Sequence, residues 1–492
     1  MRPAWTLLFM LAVLAVVAVI GEVMPRDGVS FGNAFTLRFP TVKQVLFPEK
    51  QELTDISFIL EVPTDSVEVD TTAEVLPALE LDGKPVTIDA GRLAPLADRI
   101  RLHYPNDDRS VLHPFFAALE SAPGTPHPVR ILHYGDSQIE GDRITAYLRN
   151  KLQGLFGGTG PGLVSVVEIS PHFSVAHEAS ENWDRHSVME RNGPGRKKAR
   201  FGTMGSMSRF TPVLPDTIPP DSVQHTAWIT LRPQQASYAR TRTWQRCRLW
   251  LGDHRTPLTL TVEADGVQVG TEVIEPTTQV LERQWSFATP PGEVKITFSG
   301  QDSPNVYGIS LESRNGVVMD NLAMRGASGL ELRATDQGIL RTMTASLDPG
   351  LVILQYGGNV LPYMKSVEQA KDYGRAIGAD INRIKRMLPG TAVLVIGPSD
   401  MSIKEGDLHV TRPFLEDVRD AMKASTLAAG GVFWDMYDAM GGRNSMVSWV
   451  EADPPLAAED YTHFSPLGAR KIAELFHEAL LTDIALYQKS RP

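Results

Sequence analysis

Apolar positions recur along this chain with three different spacings, and each spacing marks a different stretch. An apolar run from Ala4 to Gly21, interrupted only by Thr6, is long enough to cross a hydrocarbon layer as one helix. Later, helical and strand patterns alternate. Ser110–Leu119 reads as a helix with Val111, Leu112, Phe115, Phe116 and Leu119 on one face, Pro128–Tyr134 as a strand, and Ile139–Leu155 as an amphipathic helix. Leu351–Tyr356 and Ala392–Ile396 are short continuous apolar runs, the pattern of parallel strands covered on both faces. Tyr373–Leu388 and Arg412–Ala429 read as helices ended by Pro389-Gly390 and Gly430-Gly431, and Val432–Asp435 as one more strand. This alternation predicts an α/β fold with a doubly wound parallel sheet.

Between about Val164 and Gly316 the spacing changes to two. Ala227–Leu231, Leu258–Glu263 and Glu293–Phe298 alternate apolar and polar residues, with a turn signal at Asp265-Gly266. Strands in series predict an all-β sandwich inserted into the α/β domain. The resulting layout is a membrane anchor or signal at 1–24 and an N-terminal segment with linker at 25–97. The first part of the α/β domain follows at 98–165, the inserted sandwich at 166–316 and the second part at 317–490. Within 25–97, the first half is rich in Phe and Leu, and the stretch after Val62 is acidic and broken by prolines.

Composition then narrows the function. Of 492 residues, 42% are hydrophobic and 22% charged, which is a folded, two-domain composition. The net charge of −10 provides no basic footprint, so no nucleic-acid partner is expected. The basic run Arg196–Arg200 reads as a solvated loop. The single cysteine, Cys247, cannot form an internal disulfide or a multi-cysteine metal site. His172 and His177 fall on opposite faces of a strand, so no metal and no cofactor are expected. Arg2 before the apolar run keeps the amino terminus cytoplasmic and puts the rest of the chain across the membrane. An uncleaved anchor fits the length of that run and the poor cleavage site Val19–Val23 better than a removed signal peptide.

The candidate chemistry lies at two places. His133-Tyr134-Gly135-Asp136-Ser137-Gln138 stands at a predicted strand-to-helix junction, where a serine hydroxyl is exposed beside backbone N–H groups and a helix dipole. Gly135 is expected to let substrate approach the backbone. Asp460-Tyr461-Thr462-His463 precedes a helix opened by Ser465 as cap and Pro466 as first residue. A carboxylate three residues before a histidine can hold one ring nitrogen while the other faces a serine. Two further turns follow predicted strands. One contains Gly326, and Gly357-Gly358-Asn359 contains the other; each could present an oxyanion donor at the edge where such sheets bind ligands.

Together these residues resemble the SGNH/GDSL hydrolase superfamily, whose four blocks supply Ser, Gly, Asn and His in that order. The resemblance implies an SGNH-type, flavodoxin-like sheet with Ser137 as nucleophile, His463 as base and Asp460 as its orienting carboxylate. It further implies an oxyanion hole from the Ser137 N–H, Gly326 and Asn359. The usual Asn-Asp of the third block is Asn359-Val360 here, a departure that bears on local packing. The tethered architecture is similar to bacterial peptidoglycan or polysaccharide O-acetyl esterases that carry an inserted module.

That likeness implies a serine esterase acting on an O-acetylated glycan, inner-membrane anchored and periplasmic, or secreted if the N-terminal segment is removed. An O-acetyltransferase or accessory protein with the same triad, partnered by a membrane acyltransferase, is the alternative. A non-catalytic glycan-binding protein is a third reading, opposed by the complete set of Ser, Asn, Asp and His. Trp183, Trp228, Trp244, Trp250 and Trp285 all fall in the insert, where tryptophans serve mostly as core and sometimes as sugar platforms.

Overall fold

The structure is a computed structural model. It describes residues 3–61, with breaks at 26–28, 32–34, 38, 40, 48–49 and 52, and then residues 97–190 and 200–491. The expected linker after Val62 and the basic run at 196–200 lie outside the described residues, except for Ala97 and Arg200.

Helix α1 (Pro3–Val23) is 21 residues long, apolar and almost wholly exposed. It is long and apolar enough to cross a membrane, a test that signal sequences also pass. Beyond it, a six-stranded sheet contains β1 (Leu102–His103), β2 (Val129–Gly135), β3 (Val317–Ala323), β4 (Pro349–Gln355), β5 (Ala392–Ile396) and β6 (Val432–Trp434). Their spatial order is β3-β2-β4-β5-β6-β1, parallel except for β1 at the edge. The chain therefore reverses direction between β2 and β4, which is the switch point where doubly wound sheets bind ligands.

The continuous apolar runs follow from burial on both faces. Ile131, Met319, Ile353 and Leu394 enter one core with helices α2 (His113–Ser121) and α3 (Thr145–Phe156) and with the C-terminal helix Pro466–Ser490. Leu132, Val352, Leu354, Val393 and Val395 enter a second core. Helices α4 (Gln337–Leu347), α5 (Val367–Met387) and α6 (Leu415–Ala428) cover that side. The C-terminal helix, α7, starts as expected: Pro466 is its first residue and Ser465 Oγ accepts from Gly468 N at 3.1 Å.

Two antiparallel sheets arise between β2 and β3. One runs in the order 267–274, 258–264, 294–300, 225–233, 175–179. The other runs 277–286, 246–254, 305–312, 206–209, 184–187, with 162–164 also pairing to 305–312. Ile229, Leu231, Leu249, Leu251, Leu260, Val262, Ile296 and Leu311 fill the space between them. Trp183, Trp244 and Trp250 are buried, whereas Trp228 and Trp285 are half-buried. Trp250 belongs to the α/β core instead of the sandwich core, and its Nε1 donates to Ser346 Oγ on α4 at 2.7 Å.

A buried ion cluster joins the insert to the parallel sheet. Arg130 of β2 is fully buried and donates to both carboxylate oxygens of Asp320 on β3, at 2.8 and 2.7 Å. It also pairs with Glu312, the last residue of the inserted strand 305–312. Arg246 donates to the other oxygen of Glu312 at 2.6 Å, and Asp320 accepts from Leu163 N at 2.8 Å. Burial alone raises the pKa of Glu312. Arg130, Arg248 and Arg246 reverse this and hold it at about 2. Removing one partner from such a cluster leaves an unpaired buried charge, at a cost of about 3–5 kcal/mol. Arg130→Leu is therefore expected to lower the urea midpoint of the unfolding transition that contains the parallel sheet, read by circular dichroism; an unchanged midpoint would show the cluster to be dispensable.

Candidate active site

Strand β2 ends at Gly135, level with Ala323 of β3 and Gln355 of β4. The next residues of all three strands therefore open onto one cleft of about 630 Å³, lined by Ser137, Gly326, Asn359 and His463 among others. Ser137 follows β2 after one residue, Asp136. The expected helix from Ile139 does not form there. A single 3-10 turn occupies Glu140–Asp142, and α3 begins only at Thr145. Gly141 and Asp142 sit at φ 68° and 69°, left-handed values that break a helix. Asp142 is held out of helical register by Arg149, which donates to its two oxygens at 2.7 and 3.0 Å, and by Ser174 Oγ. The positive end of α3 therefore lies eight residues beyond Ser137, and the backbone N–H groups of the loop remain as donors. Gly135 also differs from expectation: a Cβ there would meet Ile139 Cδ1 at 2.8 Å, so this glycine serves packing and not substrate approach.

His463 reaches Ser137 from the loop before α7. Its Nε2 lies 2.9 Å from Ser137 Oγ, and its Nδ1 lies 2.7 Å from Asp460 Oδ2. The other Asp460 oxygen accepts from the backbone N–H groups of Thr462 and His463, both at 3.0 Å. These bonds outweigh burial and keep the Asp460 carboxyl below the usual carboxylate range. The tight curl requires Tyr461 at φ 53°, uncommon for an aromatic residue. The Tyr461 ring stacks on His409, with centroids 3.8 Å apart and planes within 13°. The His409 backbone is in turn held by the Gln51 side chain, which donates to its carbonyl at 2.9 Å and accepts from its N–H at 2.8 Å. A residue of the N-terminal segment thus stands two contacts from the histidine loop.

The Ser137 and Gly326 N–H groups have no hydrogen-bond acceptor among the described residues. Gly326 adopts φ 79°, which favours glycine. Asn359 lines the same cleft, but its Nδ2 already donates to Asp136 Oδ2 at 2.9 Å and to Ala327 O at 3.1 Å. Burial raises the pKa of Asp136 to about 6 despite hydrogen bonds from Gln138 N and Asn359. His133, fully buried on β2, is pushed down to about 4 by burial; its ring nitrogens face Gln355 Oε1 and Thr145 Oγ1. Among the described residues, no group of three or more His, Cys, Asp or Glu is arranged to hold a metal ion.

The sequence reading did not single out Gln138, Glu140, Arg143 or Arg325, all of which line the cleft. Gln138 Nε2 donates to Thr462 O at 2.7 Å, and its Oε1 lies 3.5 Å from Phe464 N. One side chain beside Ser137 thus bonds both backbone neighbours of His463. Its position next to the serine was the only sequence signal.

Two outcomes follow from this geometry. Gln138→Leu keeps the volume and removes both bonds to the histidine loop. It is expected to lower ester-hydrolysis kcat by roughly tenfold, the order of one lost hydrogen bond, with KM little changed in steady-state kinetics. For Asp136, the folded pKa lies above the ordinary 3.8, so the native state binds more protons between 3.8 and about 6. The stability contributed by this group is therefore present below 3.8 and lost as pH rises through about 6. The melting temperature of Asp136→Asn relative to the unsubstituted protein is expected to rise across that window, and a flat difference would count against it.

Comparison with known proteins bears on the fold and on the family of its second half. Residues 289–471 match the model of the GDSL-like Lipase/Acylhydrolase family, a stretch that holds Gly326, Asn359, Asp460 and His463 and begins after Ser137. No curated protein sequence matches the chain. Among solved structures, a peptidoglycan O-acetylesterase superposes with a TM-score of 0.60 at 23% identity, covering 76% of this chain and 96% of its own. A salicylyl-acyltransferase from a tetracycline biosynthetic pathway matches with a TM-score of 0.26 at 11% identity, covering 64% of this chain and 94% of its own. A family two carbohydrate esterase from Clostridium thermocellum matches with a TM-score of 0.23 at 9% identity, covering 54% and 92%. Residues 289–471 thus match the GDSL-like lipase/acylhydrolase family, and the α/β fold is that of an SGNH-type serine hydrolase acting on ester bonds.

Proposed function

We propose that the chain is a cell-envelope carbohydrate O-acetyl esterase, acting on acetylated peptidoglycan or a related polysaccharide through Ser137, His463 and Asp460. The observation that carries this reading is the chain of short contacts from Asp460 Oδ2 to His463 Nδ1 and from His463 Nε2 to Ser137 Oγ, opening on a solvent-accessible cleft. In the first half-reaction, Ser137 Oγ attacks the acetyl carbonyl carbon while His463 Nε2 takes the hydroxyl proton. The developing oxyanion is met by the unpaired Ser137 and Gly326 N–H groups. Asn359 joins them once its amide turns from Asp136 and Ala327. Asp460 stabilises the imidazolium and keeps the ring in place. Collapse returns the proton to the departing sugar oxygen and leaves an acetyl ester on Ser137. Water then attacks that ester with His463 as base, and acetate leaves.

The alternative fate of the acetyl group is transfer to a sugar hydroxyl, with a membrane acyltransferase as partner. The His463 and Asp460 side chains are 38% and 52% exposed, so bulk water reaches the acyl-enzyme, and this favours hydrolysis. The fold likeness to a peptidoglycan O-acetylesterase supports a glycan ester as substrate. The exposed apolar helix α1 supports a site across the bacterial inner membrane, tethered in the periplasm, or secreted if that segment is removed.

The test is acetate release by the full-length protein in detergent, from an aryl acetate and from O-acetylated peptidoglycan. Ser137→Ala and His463→Ala are each expected to lower the rate by roughly three orders of magnitude or more on both substrates. A Ser137→Ala protein with unchanged turnover would overturn the triad. Acetyl transfer to an added glycan at the expense of acetate release would overturn the esterase assignment.

A further inference from the structure

The chain has ten more acidic than basic residues, yet its catalytic cleft holds two arginines in different electrical states. Arg325 is locked to Glu140: its Nε lies 3.1 and 2.9 Å from the two carboxylate oxygens and its Nη2 lies 2.8 Å from one of them. That pair is neutral overall. Arg143 lines the same cleft and is half-buried, and its Nε donates to the Glu140 carbonyl oxygen at 3.0 Å. That bond anchors the guanidinium and leaves its terminal amines without an acceptor; among the described residues, no carboxylate pairs with Arg143. The other carboxylates lining the cleft are committed elsewhere, Glu140 to Arg325 and Asp136 to Asn359 and the Gln138 N–H.

A partly desolvated guanidinium with a fixed Nε and free terminal N–H groups is pre-organised for a planar anion, and a carboxylate fills it with two parallel hydrogen bonds. We propose that Arg143 forms a carboxylate-binding subsite in the cleft that holds Ser137, so that the preferred acetylated glycan carries a carboxylate within reach of that cleft. The identity of the occupant rests on the esterase reading above. The subsite itself rests on the ion pairing in the cleft. An acetyl ester contributes no charge, so Arg143 acts on the sugar that bears it. This distinguishes acidic glycans from neutral ones such as acetylated xylan.

Two sources offer this chemistry, the peptide carboxylates of a muramoyl unit and the ring carboxylate of a uronate. The test uses full-length Ser137→Ala in detergent, which separates binding from turnover. Calorimetry would compare muramoyl dipeptide, digalacturonate and neutral chitobiose, with and without the added Arg143→Gln substitution. At least one acid is expected to bind about tenfold more tightly than chitobiose, the order of one charge-assisted contact. Arg143→Gln is expected to erase that preference, and rising salt to shrink it. Preference for one acid alone supports the proposal and identifies the source. Equal binding of all three ligands, or a preference that survives Arg143→Gln, overturns it. Loss of acetate release in the turnover assay would instead strike the esterase reading and leave the binding result standing.

Discussion

A guanidinium taken out of water must be met by carboxylates, and Arg130 is the point on which this molecule's arrangement turns. It sits wholly buried on β2, between Asp320 on β3 and Glu312 at the end of the inserted sheet. The insert lies between β2 and β3, so residues 136–316 intervene between two strands that must pair side by side. Backbone hydrogen bonds alone do not choose among registers that differ by two residues, because each keeps the same faces buried. The ion cluster does choose, since only one register satisfies both acids on one arginine. That register brings the end of β3, and with it Gly326, level with the turn that carries Ser137.

From this frame the site is assembled by two loops whose residues are more than 300 positions apart. The histidine loop is largely self-supporting: Asp460 caps two backbone N–H groups and the ring of His463 with its two oxygens, and Tyr461 accepts a left-handed conformation to allow it. Strain of this kind persists where the surroundings over-determine it. Here the stacked His409, tied through its backbone to Gln51, and the bonds from Gln138 do so. The N-terminal segment is therefore part of the architecture behind the His463 loop, and Ile59 from the same segment is buried in the α/β core.

The cleft that results is open to solvent, with the His463 and Asp460 side chains partly exposed. Its electrical balance is local: Glu140 neutralises Arg325, burial raises the pKa of Asp136, and Arg143 has no carboxylate partner among the described residues.

Much of this was legible in the residue pattern, because burial on two faces leaves continuous apolar runs and capping leaves Ser465-Pro466. The strand at Ala392–Ile396, the start of α7 and the alternating strands of the insert fall where the spacing predicts them. Ser137, Gly326, Asn359 and His463 were visible because strand ends and turns carry short local signatures. The start of α3 was not, since an amphipathic run cannot reveal that Asp142 is drawn to Arg149 and Ser174. The occupied amide of Asn359, the packing role of Gly135 and the bridge from Gln138 to the histidine loop were likewise hidden. Local sequence determines which segments become helix or strand and which side chains have reactive chemistry. Which buried polar groups find one another is a property of long-range contacts, and only the tertiary structure decided it.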